Sequence, residues 1–230
     1  METYKITHDQ KMLHHLILHS HDVPTAWGLF DGMTGIMLVL THYARVHKMP
    51  FIEYVSDYLM EQILKNITKT ESINFGNGMA GVGWGVEYLI QNGYMKGCGV
   101  ELTREMDDRI MSVDMRRMTD DTIETGFTGL FHYVIAHIQG AVLQERSAFD
   151  SQYLKEWILV LQHRQECFPQ NPQWEKMHKM LVKAINGQCS YSLDLSQFVK
   201  PMKRAPYNLL GLHKGLAGYM ELQLHNNESV

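Results

Sequence analysis

Residues 75–93 read FGNGMAGVGWGVEYLIQNG, a glycine-rich opening followed by an apolar run. The opening follows the pattern Gly, apolar, small, Gly, and the same pattern stands at Gly32–Gly35, Gly78–Gly81, Gly126–Gly129 and Gly215–Gly218. The first glycines are separated by 46, 48 and 89 residues, and the last spacing is close to twice the others. We therefore expect a repeated unit of about 46 residues, with one unit that lacks the glycines between the third and fourth strings.

The segments between the strings alternate between two kinds of predicted helix. Met33–Val46 and Leu130–Leu143 are apolar nearly all round, which is typical of buried helices. Charged segments with a single apolar stripe alternate with them. One stripe, after Pro50, consists of Phe51, Val55, Tyr58, Leu59 and Ile63. Another, after Pro172, consists of Trp174, Met177, Leu181 and Ala184. Inner helices backed by outer helices predict an all-α fold, an α/α toroid of about five helical hairpins that forms one domain over residues 1–230.

The composition fits one sizeable core and argues against several classes of partner. The chain has 230 residues, 45% of them hydrophobic, and a formal net charge of −4. Without a basic excess we expect no nucleic-acid partner, and without an apolar run of about 18 residues we expect no membrane span. The first residues show no signal-peptide pattern. Cys98, Cys167 and Cys189 are too few and too far apart for a disulfide framework, so the chain is predicted to be cytoplasmic.

The residues beside the glycine strings support two compatible interpretations. Asp31, Asn77 and Thr125 precede the first glycines and are predicted N-caps, because their side chains can accept the free amides of a helix start. Lys214 stands at this position in the fourth string, next to the titratable His213. Alternatively, these positions ring the mouth of a central cavity, where converging helix N-termini attract an anionic or peptide ligand.

Four longer strings resemble the lanthionine synthetase C-like (LanC-like) family: LFDGMTGIMLVL (29–40), the stretch 75–93, ETGFTGLFHYV (124–134) and LGLHKGLAGYMEL (210–222). With the helices between them, the resemblance covers most of the chain and implies an α/α toroid. In members with the full motif set, zinc bound in the toroid serves the addition of a Cys thiol to a dehydrated residue of a peptide. Relatives whose activity is not defined also belong to this family.

The zinc ligands of that family are missing at the matching positions. The family holds its zinc with two cysteines and a histidine, in strings such as Trp-Cys-Tyr-Gly and Cys-His-Gly, whereas no cysteine precedes a glycine string here. The family's Ala-His-Gly string is replaced by His213-Lys214-Gly215, which moves the histidine by one residue. Thiol activation by zinc needs about three protein ligands around the metal. We therefore expect a reduced member with no metal, no cofactor and no lanthionine cyclase activity.

Other groups of residues leave alternatives open. A histidine-rich start fits either a metal site or a polar helix face, and it comprises His8, His14, His15, His19 and His21, of which His15 and His19 are four apart. Carboxylates near the turns fit either caps or the paired acids of glycoside-cleaving toroids: Asp31, Glu87, Glu124 and Glu221. Asp107-Asp108 and Asp120-Asp121 resemble acid pairs that hold magnesium. Trp84 and Tyr88 fit either the core or a platform that stacks on a peptide or sugar ring.

Together these patterns predict a zinc-free LanC-like accessory protein that binds a peptide or another small ligand in peptide modification or handling. The alternative is an α/α-toroid enzyme, either a carbohydrate-active hydrolase or a peptide-modifying enzyme, that uses carboxylates and His213 at the toroid mouth. The candidate ligand-binding residues are Asp31, Asn77, Trp84, Glu87, Glu124, His213 and Lys214. No catalytic residue is assigned. A homodimer is left open, since an unclosed toroid would expose its edges.

Overall fold

The computed structural model of the chain describes residues 7–20, 27–67, 72–188 and 190–228. Over these residues it has ten α-helices and no strand, which confirms the predicted all-α fold. In chain order the helices are α1 (His8–His19), α2 (Met33–His47), α3 (Pro50–Asn66), α4 (Met79–Gln91), α5 (Gly99–Leu102), α6 (Arg104–Met111), α7 (Phe127–Leu143), α8 (Ser151–Cys167), α9 (Pro172–Ile185) and α10 (Leu216–Glu228). The closure of the hairpins into a toroid stays a prediction.

The contacts divide the chain into two compact units. Unit 1 comprises Met1–Glu71, Gly76–Gly78 and Asp194–Val230, and unit 2 comprises Ser72–Phe75 and Met79–Leu193. In unit 1, α2 packs against α3 and α10, and α1 packs against α10. In unit 2, α4 packs against α7, α8 packs against α9, and α9 also contacts α7. The single domain predicted for the whole chain stays a prediction.

The helices predicted to be inner are buried along most of their length. In α4, every residue from Met79 to Leu89 is buried, and in α2 every residue from Met33 to Leu40 is buried. A side chain at Gly83 of α4 would collide with the ring of Tyr133 in α7, so this glycine allows the two helices to approach closely. The interpretation of the apolar segments as buried helices is therefore confirmed for α2 and α4.

The outer helices have one buried and one exposed face, and for α3 the buried face is not the predicted one. Helix α9 buries the predicted stripe of Trp174, Met177, Leu181 and Ala184, with Pro172 in its first turn. Helix α3 buries Ile52, Ser56, Leu59, Met60 and Ile63, while Phe51 and Tyr58 are 68% and 44% exposed. The stripe predicted for α3 is therefore wrong at Phe51 and Tyr58, because the packing face is rotated toward Ile52 and Ser56.

In the four helices that follow the glycine strings, first-turn amides donate backbone hydrogen bonds to carbonyls of the preceding loop. In each case a first-turn amide donates to the carbonyl seven residues earlier: Thr34 to Trp27, Met79 to Ser72, Phe127 to Asp120 and Leu216 to Leu209, at 3.3, 3.0, 2.8 and 2.7 Å. Gly32 and Gly126 are the N-cap residues of α2 and α7, and no side chain caps either helix. The prediction of Asp31 and Thr125 as N-caps is therefore wrong. Loop carbonyls accept hydrogen bonds from first-turn amides that would otherwise bond to a capping side chain.

The second glycine of a string lies beneath the same returning loop. A Cβ atom at this glycine would collide with the carbonyl oxygen six residues earlier, and the colliding pairs are Gly35 with Leu29, Gly129 with Ile123, and Gly218 with Leu212. Only a residue without a side chain leaves room for a loop at this distance. The backbone that approaches these glycines closely is that of the helix's own loop.

Candidate functional site

The candidate ligand-binding residues are divided between the two units. Asp31, Asn77, His213 and Lys214 belong to unit 1, and Trp84, Glu87 and Glu124 belong to unit 2. Asp31, Asn77, Glu124 and Lys214 are exposed, His213 is half-buried, and Trp84 and Glu87 are buried. The buried members have a role inside the core of unit 2, and each group is described with its own neighbours.

In unit 1, three loops that precede glycine strings lie side by side. The amide of Phe30 donates to the carbonyl of Gly76 at 2.7 Å, and the amide of His213 donates to the carbonyl of Phe30 at 3.1 Å. The Oδ1 atom of Asn77 accepts the amide of Asp31 at 3.2 Å. The structure therefore brings Asp31, Asn77 and His213 onto adjacent loops, as expected for residues around a mouth.

The imidazole of His213 is held by this arrangement of loops. It stacks on Phe30, with ring centroids 4.4 Å apart and an angle of 7° between the planes. Its Nδ1 lies 2.6 Å from the carbonyl oxygen of Phe198, which can only accept, so Nδ1 carries a proton. The first-turn amides of Leu216, Ala217 and Gly218 also bond to loop carbonyls. These contacts occupy the amides that an anion would need at the start of α10.

In unit 2, Trp84 belongs to the core. Its Nε1 donates to the hydroxyl of Tyr191 at 3.0 Å, and its ring stacks on buried Tyr88 at a centroid distance of 5.7 Å. The same hydroxyl lies 2.8 Å from Nδ1 of His132. Burial, together with the positive charge of Lys176, lowers the pKa of His132 to about 4, so this imidazole is neutral at pH 7. The core interpretation of Trp84 and Tyr88 is thus supported over a stacking platform.

Glu87 belongs to a buried ionic group at the junction of α4, α6 and α7. Its Oε1 lies 2.7 Å from Nδ1 of His137, and Nε2 of His137 lies 3.2 Å from Oδ2 of Asp107. The hydroxyl of Tyr133 donates to Asp107, and the hydroxyl of Thr103 donates to Asp107 at 2.8 Å. One imidazole therefore joins two carboxylates that come from two other helices.

The charge state of this group follows from its surroundings. Burial alone would lower the pKa of His137, but the hydrogen bonds and charges of Asp107 and Glu87 outweigh burial and raise the pKa to about 9. His137 is therefore protonated at pH 7 and both of its ring nitrogens donate. Burial and the charge of Asp107 raise the pKa of Tyr133 well above its usual value, so its hydroxyl stays protonated. With His137 and Glu87 0% and 1% exposed, the group is suited to holding helices in position.

Sequence reasoning singled out Glu87 but missed its partners His137 and Asp107. Two glycines carry the signal that could have found them, because a side chain at Gly99 or Gly140 would collide with the Glu87 carboxylate. Gly140 lies inside the apolar helix α7, where glycine has no local purpose and costs about 1 kcal/mol relative to alanine. A glycine in such a place indicates a space kept for a side chain of another helix.

A similar buried pair lies in unit 1. Nδ1 of His42 in α2 is 3.0 Å from both carboxylate oxygens of Glu221 in α10, and the two residues are 7% and 1% exposed. Glu87 and Glu221 are thus each bonded to a core histidine, whereas Asp31 and Glu124 are exposed. Within either unit, the described carboxylates of the hydrolase alternative do not face each other across one pocket.

A surface groove with a volume of about 730 Å³ lies on unit 2, between residues 116–121 and helix α8. We call it the α8 groove. Its apolar lining comes from Met118, Leu159, Val160 and Phe168, and its polar lining from Arg116, Asp121, Glu156, His163, Arg164 and Cys167. The thiol sulfur of Cys167 lies 3.5 Å from Nε2 of His163. The sequence analysis named Cys167 and Asp121 for other reasons and did not connect them, since the lining comes from two segments without a shared motif.

Arg164 fixes one wall of the α8 groove. Its guanidinium lies over the ring of Phe127 at 4.2 Å and over the ring of Trp174 at 5.0 Å. It also forms an ion pair with Asp121 and donates to the carbonyl of Met118 at 2.6 Å. Because both rings belong to the core, the segment beside the groove is tied to rigid elements.

Among the described residues, no group of three or more His, Cys, Asp or Glu side chains is arranged to hold a metal ion. The rings of His15 and His19 do share a face, with centroids 4.4 Å apart, but Nε2 of His15 bonds to the carbonyl of Tyr207 at 2.9 Å. Two residues named in the sequence analysis, His21 and Cys189, lie outside the described residues. Within the ranges that the structure describes, no Cys-Cys-His group of the kind that holds zinc is present.

The chain was compared with protein-family models, with curated proteins and with solved structures, and none of them matches it. Across the described part of the chain, every helix is too short or too polar to cross a membrane.

Proposed function

We propose that the chain is a zinc-free LanC-like binding protein that holds a peptide or a small molecule in the α8 groove, as an accessory in peptide modification or handling. The observation that carries the proposal is the groove itself, an open cavity of about 730 Å³ whose lining includes Met118, Leu159, Val160 and Phe168. Ligand pockets in proteins are typically about 300–1,000 Å³, with mostly apolar walls and a few polar groups that orient the ligand.

The lining of the groove indicates the chemistry of its ligand. Leu159 and Phe168 are 63% and 47% exposed, so a ligand can cover apolar surface that now faces water. Arg116, His163 and Glu156 add charged and titratable groups to the same lining. This arrangement suits a ligand with an apolar or aromatic part and a polar or anionic end, such as a short peptide.

Two further observations support a binding role on a scaffold of this family. Four glycine strings open four helices under the same backbone hydrogen bonds, as expected for a repeated LanC-like framework. The buried acid–histidine groups, Glu87 with His137 and Glu221 with His42, are enclosed between helices and are used for packing. The groove is therefore the surface that a ligand can reach, and the buried groups hold the helices of the core in position.

The test uses anilinonaphthalene sulfonate, a dye with an apolar ring system and one anionic group that becomes fluorescent in apolar sites. We expect saturable binding to the wild-type chain and at least about tenfold weaker binding to Leu159→Asp and Phe168→Asp, since a carboxylate in the groove repels the dye. The matched control is Leu143→Asp, because Leu143 is 70% exposed and lies at the end of α7, outside the groove.

A displayed random-peptide library then separates peptide from small-molecule ligands. Peptides selected on the wild-type chain should bind Leu143→Asp and fail to bind Leu159→Asp. Dye and peptides that bind Leu159→Asp as well as they bind the wild-type chain would contradict the groove as the binding site.

A further inference from the structure

The exposed face of α3 carries a line of aromatic side chains. Phe51, Tyr54 and Tyr58 are 68%, 71% and 44% exposed, and their spacing of three and four residues places them along one side of the helix. Large aromatic side chains in a contiguous exposed patch mark an interaction surface more often than isolated ones do. This line lies opposite the face that α3 buries in unit 1.

An acidic edge runs beside the aromatic line. Glu53, Asp57 and Glu61 are exposed and four residues apart, so they form a row along the same helix. Glu61 bonds to Lys65 at 2.6 Å, and Glu53 lies 4.0 Å from Arg45, in pairs that are exposed to solvent. Such exposed pairs are worth about 0–1 kcal/mol, so their members can exchange partners at little cost. We call Phe51, Tyr54, Tyr58 and this acidic row the α3 face.

A surface of opposite charge lies on α9 in unit 2. Lys176, Lys179 and Lys183 are exposed at a spacing of three and four residues. They surround a concave site of about 420 Å³ that also contains Pro172, Met180 and Ser190. Lys179 forms one ion pair, with Glu175 of its own helix, and that pair is exposed. We call the three lysines and the concave site the α9 face.

We infer that the α3 face of one copy of this chain binds the α9 face of a second copy. The line Phe51–Tyr58 and the line Lys176–Lys183 each advance by seven residues along a helix, about 10.5 Å, so the two lines match in length. Lysine ammonium groups over tyrosine rings gain cation–π attraction, and the acidic row meets the basic row. An exposed aromatic ring also fits the 420 Å³ site, whose wall includes the apolar stem of Met180.

This contact joins two different surfaces of the chain, and every copy carries both of them. Association of further copies therefore raises the average mass as the concentration rises. Because opposite charges contribute to it, the association weakens with salt. The inference is independent of the α8 groove, whose residues belong to neither face.

The test is the mass of the full chain in solution by analytical ultracentrifugation. We expect the average mass of the wild-type chain to rise above the monomer value of 26.6 kDa with concentration and to fall back when salt is raised. Variant A, Phe51→Ser with Tyr54→Ser, and variant B, Lys176→Glu with Lys183→Glu, should each remain monomeric. All four changes are at exposed positions, and Leu143→Ser is a control for removing exposed apolar surface elsewhere.

Mixing the two variants shows whether the α3 face of one copy binds the α9 face of another. Variant A keeps its α9 face and variant B keeps its α3 face, so an equal mixture should form one-to-one pairs and nothing larger. A wild-type chain that stays monomeric at all concentrations would overturn the inference, and that result would leave the α3 face for a different, basic partner. Association of variant B alone, or no pairing in the mixture, would also overturn it.

Discussion

At the scale of single residues, two histidines of α7, buried His137 and half-buried His132, titrate on opposite sides of their usual pKa of 6.5. His137 has a pKa of about 9 in the folded chain, so its contribution to stability is present below pH 6.5 and is lost as the pH rises through 9. His132 has a pKa of about 4, so unfolding lets it take up a proton below pH 6.5. Its contribution is present above pH 6.5 and is lost as the pH falls toward 4.

We therefore predict that the free energy of unfolding is highest near pH 6.5, with an alkaline loss from His137 and an acid loss from His132. A shift of this size corresponds to about 3 kcal/mol for each residue. The measurement is urea unfolding at a series of pH values. His132→Gln should flatten the slope between pH 6.5 and 4 and leave the alkaline slope unchanged, whereas exposed His14→Gln should change neither. An alkaline slope that vanishes in His132→Gln would contradict the assignment.

The residue scale also shows what a single sequence cannot supply. Glu87 was identified from its place beside a glycine turn, but its role depends on His137, fifty residues later in the chain. The pairing of Glu87 with His137 is set by how α4 packs on α7, and the sequence marks it only indirectly, through the glycines at 99 and 140 that leave room for the carboxylate. The role of Asp107 is hidden for the same reason, because in the sequence it reads as one half of an exposed acid pair.

At the scale of the elements, the glycine strings act through sterics. We predict that Gly35→Ala, Gly129→Ala and Gly218→Ala each lower the free energy of unfolding by more than about 2 kcal/mol, because the methyl group meets a carbonyl oxygen of the returning loop. Thermal and urea unfolding measure the loss. Gly93→Ala is the contrast, since no atom lies near its Cβ position and only its positive φ of 71° opposes the change; it should cost about 1 kcal/mol. Equal losses at all four positions would argue against the steric explanation.

The existence and position of a helix could be predicted from the sequence more reliably than the face it buries and the groups that bond to its ends. The period of the apolar residues located α9 and its buried stripe, because a long periodic segment after proline has few alternatives. The buried face of α3 was wrong at Phe51 and Tyr58, because both of its sides carry apolar residues and only packing on α2 chooses between them. The N-caps Asp31 and Thr125 were wrong because loop carbonyls compete with side chains for the same amides.

At the scale of the whole molecule, the zinc question separates this chain from the full LanC-like enzymes. We predict that the purified protein contains no stoichiometric zinc and takes up none in a calorimetric titration, because no trio of suitable ligands is present among the described residues. Elemental analysis is the measurement. Tightly bound zinc at one ion per chain would contradict the proposed function, and its loss in Cys189→Ser or His21→Gln would identify ligands outside the described residues.

The arrangement of the whole chain is the part that the sequence determines least. A near-constant period predicted repeated helical hairpins, and four of the helix starts follow one pattern. Whether the repeats close into a ring depends on contacts between the first and last repeats, which local patterns do not encode. The α8 groove lay beyond prediction for a similar reason, because its walls come from segments about 40 residues apart that share no motif.

The backbone bonds at the helix starts have a consequence for protein engineering. Main-chain bonds link each helix start to its loop, and the exposed side chains of Asp31, Glu124 and Lys214 take no part in those main-chain bonds. Residues such as Asp31, Glu124 and Lys214 could be exchanged for other side chains while the flanking glycines stay in place. The loops then serve as four grafting positions on one scaffold, where a designer could install new recognition residues without rebuilding the helices behind them.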